Sequence, residues 1–260
     1  MTFFGGIFLG QESGFGSLQS YLLFIIAVVA LGLFIMVERK RKSPLIKFAI
    51  FKNKIFTLSL LSAVLIFASN FFVNVVIPFY LQDARKLSAS YAGLLMMVFP
   101  LLMVVGAPLS GYLSDKIGPG ILTFGGLLLL CCTSLMYMFL DMNSPIWYYV
   151  IATAIMGLGN ALFQSPNNTM VMSSVEKQDL GVAGSMNSFA RNLGMVIGIA
   201  LSTTILYRGM SEAYGERVTT YLANRPDIFI VGMRETFFVA FLLCVAAFIL
   251  TILRFRKTTK

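Results

Sequence analysis

The chain has 260 residues, of which 58% are hydrophobic and only 12% charged, with a mean hydropathy of +0.84. A water-soluble domain carries roughly 25% charged residues, so this composition excludes one. Its long uncharged runs point to membrane-spanning helices and away from the alternating pattern of a β-barrel.

The net charge is +9. The Lys and Arg stand beside apolar runs, so they read as topology determinants and contacts for anionic lipid, not as a nucleic-acid surface. There is no histidine, and Cys131, Cys132 and Cys244 fall inside apolar runs without metal-ligand spacing. They read as small core residues, and nothing calls for a metal or a cofactor. No nucleophile stands at a plausible spacing from a base, and no acid pair is buried, so the chain does not read as an enzyme.

In chain order, Met1–Gly10 is apolar but only about half a membrane span, without the basic segment or cleavage site of a signal peptide. It reads as the tail of a helix whose beginning is absent. Gly14–Ser17 is a turn, and Leu18–Val37 is a full span. Glu38–Lys54 carries Arg39, Lys40, Arg41, Lys42, Lys47, Lys52 and Lys54. Ser43 and Pro44 suit a helix start there, which gives a short interfacial helix on the cytoplasmic surface. Further spans follow at Ile55–Leu81, Tyr91–Tyr112, Pro119–Leu140, Trp147–Met170, about Val182–Tyr207 and about Thr236–Leu253. Trp147, Tyr148 and Tyr149 open one of them as an aromatic belt.

If Glu38–Lys54 is cytoplasmic, that side also receives Lys116, Lys177, Arg191 and the tail from Arg254, fourteen of the twenty basic residues. The other side receives Arg85, Lys86, Arg208, Arg217, Arg225 and Arg234. The positive-inside rule then places the C-terminus in the cytoplasm of a cell-membrane protein.

Gly111-Tyr112-Leu113-Ser114-Asp115-Lys116-Ile117-Gly118 is the shortest polar connection between two such spans. It reads as a tight hairpin with Gly111 and Gly118 freeing the backbone at both ends. Asp115 would sit just ahead of the next helix, where exposed N–H groups and the dipole favour an anion.

Inside the spans, the acids all fall in loops or near helix ends, so no carboxylate stands at a helix centre as proton coupling usually requires. Arg191 is the one base well inside a span. Either it faces protein or water, or its helix starts later and it snorkels to the interface. Asn187, Gly194, Gly198 and Ser202 continue its face at a spacing that suits close helix packing. Asn70 and Asn74, with Phe71 and Phe72 beside them, share one face of their span. Asn160, Gln164 and Asn167 share a face of another, ahead of an expected kink at Pro166. Each amide alone suits an interhelical hydrogen bond, whereas the set suits the wall of a cavity for a bulky amphipathic ligand.

Gly111, Leu113, Asp115, Lys116 and Gly118 match the G-x-L-x-D-[RK]-x-G core of the signature loop of the major facilitator superfamily. The basic residues that often follow are replaced by Pro119 and Gly120. Ser43-Pro44-Leu45 with Phe51-Lys52-Asn53 and Phe56 resembles the linker before the C-terminal bundle of the fourteen-helix drug:proton antiporters of that superfamily. Ser165-Pro166-Asn167-Asn168-Thr169, Gly181-Val182-Ala183 and Phe189-Ala190-Arg191-Asn192-Leu193-Gly194 are similar to their late helices.

The resemblance implies an all-α polytopic membrane protein: a C-terminal six-helix bundle at residues 55–260, preceded at 1–54 by the end of a truncated helix, one central helix and a basic linker. It also implies proton-driven export of hydrophobic or cationic drugs, with a missing N-terminal six-helix half as partner. Gly111, Asp115, Lys116, Gly118 and Arg191 become candidate conformational-switch residues. Asn70, Phe71, Asn74, Asn160, Gln164 and Asn167 are the cavity candidates read from the helix faces. A fragment that inserts in the membrane but moves nothing without its other half is the alternative.

Overall fold

The computed structural model describes residues 48–222 and 225–258. The chain divides into two compact units, residues 1–52 and 53–260. The expected half-helix at Met1–Gly10 and the span Leu18–Val37 lie outside the described residues, as does most of the interfacial helix. Of that last stretch, Phe48–Lys52 forms a 3-10 turn.

The second unit opens on Asn53, whose Oδ1 accepts from the backbone N–H of Ile55 (2.9 Å) and Phe56 (3.4 Å). This cap satisfies donors that no earlier turn can satisfy and starts α1, Lys54–Phe79. Pro78 cannot donate to the preceding turn, and α1 passes into a π-helical turn at Tyr80–Ala84. Next come α2, Ala89–Met96, and α3, Val98–Ile117. The break between them falls where Pro100 has no N–H to offer the carbonyl of Met96, so the two form one span.

The remaining helices are α4 (Pro119–Met138), α5 (Ile146–Ser173), α6 (Leu180–Tyr214) and α7 (Pro226–Thr258). Six helices among the described residues are long and apolar enough to cross a membrane. The protein is therefore an all-α, multi-pass membrane bundle. Pro166 lies inside α5, which runs unbroken through it.

The last span is longer than expected, beginning at Pro226 and not near Thr236. Arg234 and Glu235 are exposed on its outer turns. A charge on a helix surface ends the apolar run in the sequence without ending the helix.

The packing has an internal symmetry. α1 packs on α6 as α5 packs on α3, and α1 packs on α7 as α5 packs on α4. α3 meets α4 as α6 meets α7, while α1·α5 and α4·α7 are their own counterparts. The first three spans and the last three thus pack in matching ways, apart from an α5·α6 contact that α1 and α3 do not repeat, the pattern of a repeated three-helix unit.

Small residues allow the close crossings that lipid-facing helices need. On α6, a Cβ at Gly194 would stand 2.5 Å from the Val64 carbonyl oxygen, and one at Gly198 would meet Ala68. The equivalent crossing of α3 and α5 brings Gly106 against Ala161. The small-residue face of α6 thus packs on α1, as its spacing predicts.

One part of the aromatic belt turns inward. Trp147 is 62% exposed, but Tyr149 is 2% exposed and sits beside Tyr137, whose ring stacks on Phe237 at 5.1 Å.

Candidate functional site

Asn70 on α1 and Asn160 on α5 form a reciprocal pair. Asn70 Nδ2 donates to Asn160 Oδ1 at 2.6 Å, and Asn160 Nδ2 donates to Asn70 Oδ1 at 3.1 Å. Both are buried, and the pair joins the first helix of each three-helix unit. A second amide extends it on each helix at i+4. Gln164 Nε2 donates to Asn160 Oδ1 (3.3 Å), and Asn74 Nδ2 donates to the Asn70 carbonyl (3.1 Å). The result is a chain of four amides across the bundle, buried in the middle and reaching exposed Asn74 at one end.

Asn74 opens into a cleft lined by Val73, Ile77, Met96, Phe99, Tyr149, Thr153 and Met156 besides itself. Its walls come from α1, the α2–α3 span and α5. None of its lining residues is charged. Thr153 Oγ1 donates to the Tyr149 carbonyl (2.9 Å) and pairs with the Tyr137 hydroxyl (2.9 Å). A smaller neighbouring cavity shares Val73 and Met156 and includes Asn70, Ser69, Ser134 and Cys244. There Cys244 Sγ lies 3.2 Å from Ser69 Oγ and 3.6 Å from Ser134 Oγ, hydrogen-bonded as a small core residue should be.

Of the six cavity candidates, Asn74 lines the cleft and Asn70 the smaller cavity, whereas Phe71, Asn160, Gln164 and Asn167 line neither. The Phe71 Cβ lies in the α1–α6 crossing, against the space a Gly198 side chain would need, and Phe71 does not line the cleft. Asn167 belongs to a different cluster, formed with a residue the sequence assigns to the cytoplasmic tail. Arg254 is 1% exposed. Its Nη1 donates to Ser59 Oγ (2.8 Å) and Asn167 Oδ1 (3.1 Å), while Asn167 Nδ2 donates to the Ser59 carbonyl (3.3 Å). This cluster ties α1, α5 and α7 together at one end of the bundle. Asn53 adds to it, donating from Nδ2 to the Ser174 carbonyl at 2.7 Å. The signal missed in the sequence is that Thr251 and Arg254, one turn apart, continue the buried face of α7 past the apparent end of its apolar run.

The expected hairpin is a helix end. α3 continues through Ile117, and Gly118 alone, at φ 90°, separates it from Pro119 at the start of α4. Only that backbone requires glycine. Gly111 lies inside the helix, and a Cβ there would meet Ser165 Oγ of α5 at 3.4 Å, so it serves close packing. Asp115 therefore occupies the last turn of α3, where the dipole disfavours a carboxylate, and not a position capping the next helix. It is exposed and makes no ion pair with a described residue. Lys116 Nζ sits 4.5 Å from the Tyr112 ring centroid.

Arg191 is also exposed, and its guanidinium carbon lies 5.7 Å from the Phe67 ring centroid on α1. Asn187 Nδ2 donates to Asn168 Oδ1 at 2.9 Å, bridging α6 and α5 one turn away. Of the two sequence alternatives for Arg191, the helix does not start later: α6 begins at Leu180.

At the opposite end from Arg254, the Asp141 carboxyl accepts from the Asn143 backbone N–H (2.8 Å) and Ser144 Oγ (3.1 Å). The Asn143 contact above all holds it below the usual carboxylate range, with further help from Ser144 and the charge of Arg234. Tyr80 donates to the Asp141 carbonyl (2.7 Å), and Arg85 donates to the Ser144 carbonyl (2.5 Å), fixing the α4–α5 loop to the end of α1.

The chain is matched by the family model described as Major Facilitator Superfamily, over residues 1–199 and 60–260. The chain belongs to the Major Facilitator Superfamily. It is 29% identical over 248 residues to the riboflavin transporter RibZ of Clostridioides difficile, covering 94% of this chain and 52% of that protein. It is 28% identical over 221 residues to the multidrug transporter protein MdtP of Bacillus subtilis, covering 84% of this chain and 40% of that protein. It is 26% identical over 202 residues to the multidrug resistance protein Stp of Mycobacterium tuberculosis, covering 78% and 37%. The chain spans about half or less of the length of these relatives.

Proposed function

We propose that this chain forms the C-terminal transport bundle of a small-molecule efflux carrier of the cell membrane. The observation that carries the proposal is the amide chain Asn74–Asn70–Asn160–Gln164. Polar groups this deep in a lipid-embedded bundle are costly unless they are hydrogen-bonded or serve a ligand. Here they do both, since the buried centre is paired and one end faces a cleft.

In this reading a second, N-terminal six-helix half completes the carrier, and the two halves rock about the substrate to expose it to alternate sides. The half supplies the acid that couples export to proton entry, because none of the acids in this bundle faces its interior amides. Hydrophobic or cationic drugs are the expected cargo, as the names of MdtP and Stp suggest. The C-terminus is cytoplasmic by the balance of basic residues.

Asp115 and Lys116 stand exposed at the cytoplasmic end of α3, and Arg191 stands exposed on α6. These are positions from which the other half can engage them as a conformational latch. Asp115→Asn in the complete carrier should then reduce transport at an unchanged membrane level. Unchanged transport would remove the latch.

The experiment is uncoupler-sensitive ethidium efflux from a pump-deficient bacterium, with insertion confirmed by blot. Efflux only when the chain is co-expressed with a six-helix N-terminal half is the expected result. Efflux by the chain alone would overturn the assignment of coupling to the other half. No efflux in either arm would make this an inserted fragment without transport.

A further inference from the structure

We propose that Cys131 and Cys244 form a paired-thiol site for a divalent, two-coordinate soft metal ion, held between α4 and α7. The two cysteines stand on different helices, so no ligand spacing in the sequence announces them. The fold brings them together. α4 and α7 meet ring against ring at two levels, Phe124 on Phe248 (4.5 Å) and Tyr137 on Phe237 (5.1 Å), and the cysteines lie between those levels. Their thiols are hydrogen-bonded to each other. Ser134, one turn from Cys131, brings its Oγ to 3.6 Å from the Cys244 sulfur, which sets both thiols on the facing sides of the two helices.

What such a pair holds follows from ligand count and charge. Thiolates are soft donors and select soft ions. Among the described residues no group of three or more His, Cys, Asp or Glu is placed to hold a metal. Zn(II), which takes four ligands, therefore finds half a set, whereas Hg(II) is content with two sulfurs. Burial sharpens the choice. Cys131 is 9% exposed and Cys244 1%, and a net charge there is costly. Hg(II) on two thiolates is neutral, while Ag(I) or Cu(I) on the same pair leaves a net negative charge.

Binding is a proton exchange without a redox step. Two S–H bonds break, two Hg–S bonds form, and two protons leave for bulk water. Mercuric chloride enters the bilayer as an uncharged molecule, and its two chlorides leave with the protons. The surroundings suit a thiolate. Ser69 Oγ lies 3.2 Å from Cys244 Sγ. The Ser69 and Ser134 hydroxyls also reach backbone carbonyls, of Ala240 (3.3 Å) and Leu130 (3.0 Å). Each can turn its proton to the sulfur once Cys244 has lost its own. The small cavity that Cys244 lines gives its sulfur room to move around the ion.

The test uses the full-length chain with Cys132→Ser, which removes the exposed thiol, at one chain per lipid nanodisc. On titration with mercuric chloride, both remaining thiols should be blocked at about one ion per chain, with about two protons released per ion. Zn(II) should block neither. With glutathione present, adding Cys131→Ser or Cys244→Ser should raise the Hg(II) needed for half occupancy at least about tenfold, because a single sulfur gains no intramolecular second bond. Serine keeps a hydrogen-bonding group at each position, so the folded peak in size-exclusion chromatography should be unchanged, and the ion and proton counts need neither variant.

One thiol blocked per ion would overturn the proposal. So would an occupancy curve that either serine variant leaves unchanged, or thiols that Hg(II) leaves free. None of these outcomes depends on transport, so this titration and the efflux assay fail separately.

Discussion

Asn160 and Asn167 stand seven residues apart on one face of α5, yet the bundle uses them differently. Asn160 belongs to an amide chain that ends at an open cleft, and Asn167 belongs to a sealed cluster around Arg254. The residue type is the same and the burial is similar, at 0% and 3% exposed. The partner makes the difference. Asn160 pairs with another amide, a neutral and symmetric contact that leaves the network extensible in both directions. Asn167 accepts from a guanidinium that has been taken out of solvent, which fixes three helix ends in one place. Buried amides in a membrane bundle thus divide between extensible networks and anchors according to what they bond, and sequence spacing does not show which.

The sharpest way to disturb both regions at once is to push α6 off α1, the helix that both regions share. Gly198→Leu places a side chain against the backbone of Ala68, where no rotamer change gives relief. It should destabilise the bundle by about 3 kcal/mol or more and remove the folded peak in size-exclusion chromatography. Gly125→Leu, at a position with open space around it, should leave the peak unchanged.

The anchor is tested next. Asn167→Leu removes one acceptor from a buried charged donor, and should cost about 1.5–3 kcal/mol in thermal melting of the detergent-solubilised protein. A loss under about 0.5 kcal/mol would mean that the cluster does not hold the helix ends.

For the amide chain the expected loss is smaller. Asn70→Leu and Asn160→Leu should each cost about 1 kcal/mol, near the upper part of the range measured for interhelical hydrogen bonds in membranes. The double variant should cost less than the sum, because each single variant strands the other amide of the pair and the double does not. Additive losses would show that the two amides do not act as a pair.

The smallest effect is at the α4–α5 loop. The Asp141 carboxyl is held below its ordinary value of 3.8 by the Asn143 N–H. A depressed folded-state value contributes stability that is present above the unfolded value and lost as pH falls through the folded one. The melting temperature should therefore be level between pH 7 and about 5 and decline below about 4, with Asp141→Asn removing part of that decline. An identical pH profile for the variant would place the effect elsewhere.

Much of the architecture is legible in the sequence because lipid enforces it. Each span must satisfy its own backbone and present about 20 apolar residues, so the six spans of the bundle show as hydropathy alone. The small-residue face of α6 is legible for the same reason, since only glycine permits the approach made at Gly194 and Gly198. Helix ends are less so. Hydropathy reports where apolar character stops, whereas helices stop at backbone events such as Gly118 or the cap at Asn53. Consequently Asp115 reads as a turn residue although it is helical, and Arg254 reads as a tail although it is buried. Of the amides, the spacing groups Asn70 with Asn74 and Asn160 with Gln164, and the fold joins the two groups across α1 and α5. Asn167 shares the face of Asn160, yet its partner comes from α7, 87 residues away, a distance that no local pattern encodes.

One measurement addresses both regions together. In a chain whose Cys131, Cys132 and Cys244 are replaced by serine, Asn74→Cys and Asn167→Cys are labelled in nanodiscs with a membrane-permeant maleimide. The account predicts rapid labelling at exposed position 74 and negligible labelling at position 167, which is 3% exposed. Equal labelling at the two positions would contradict it.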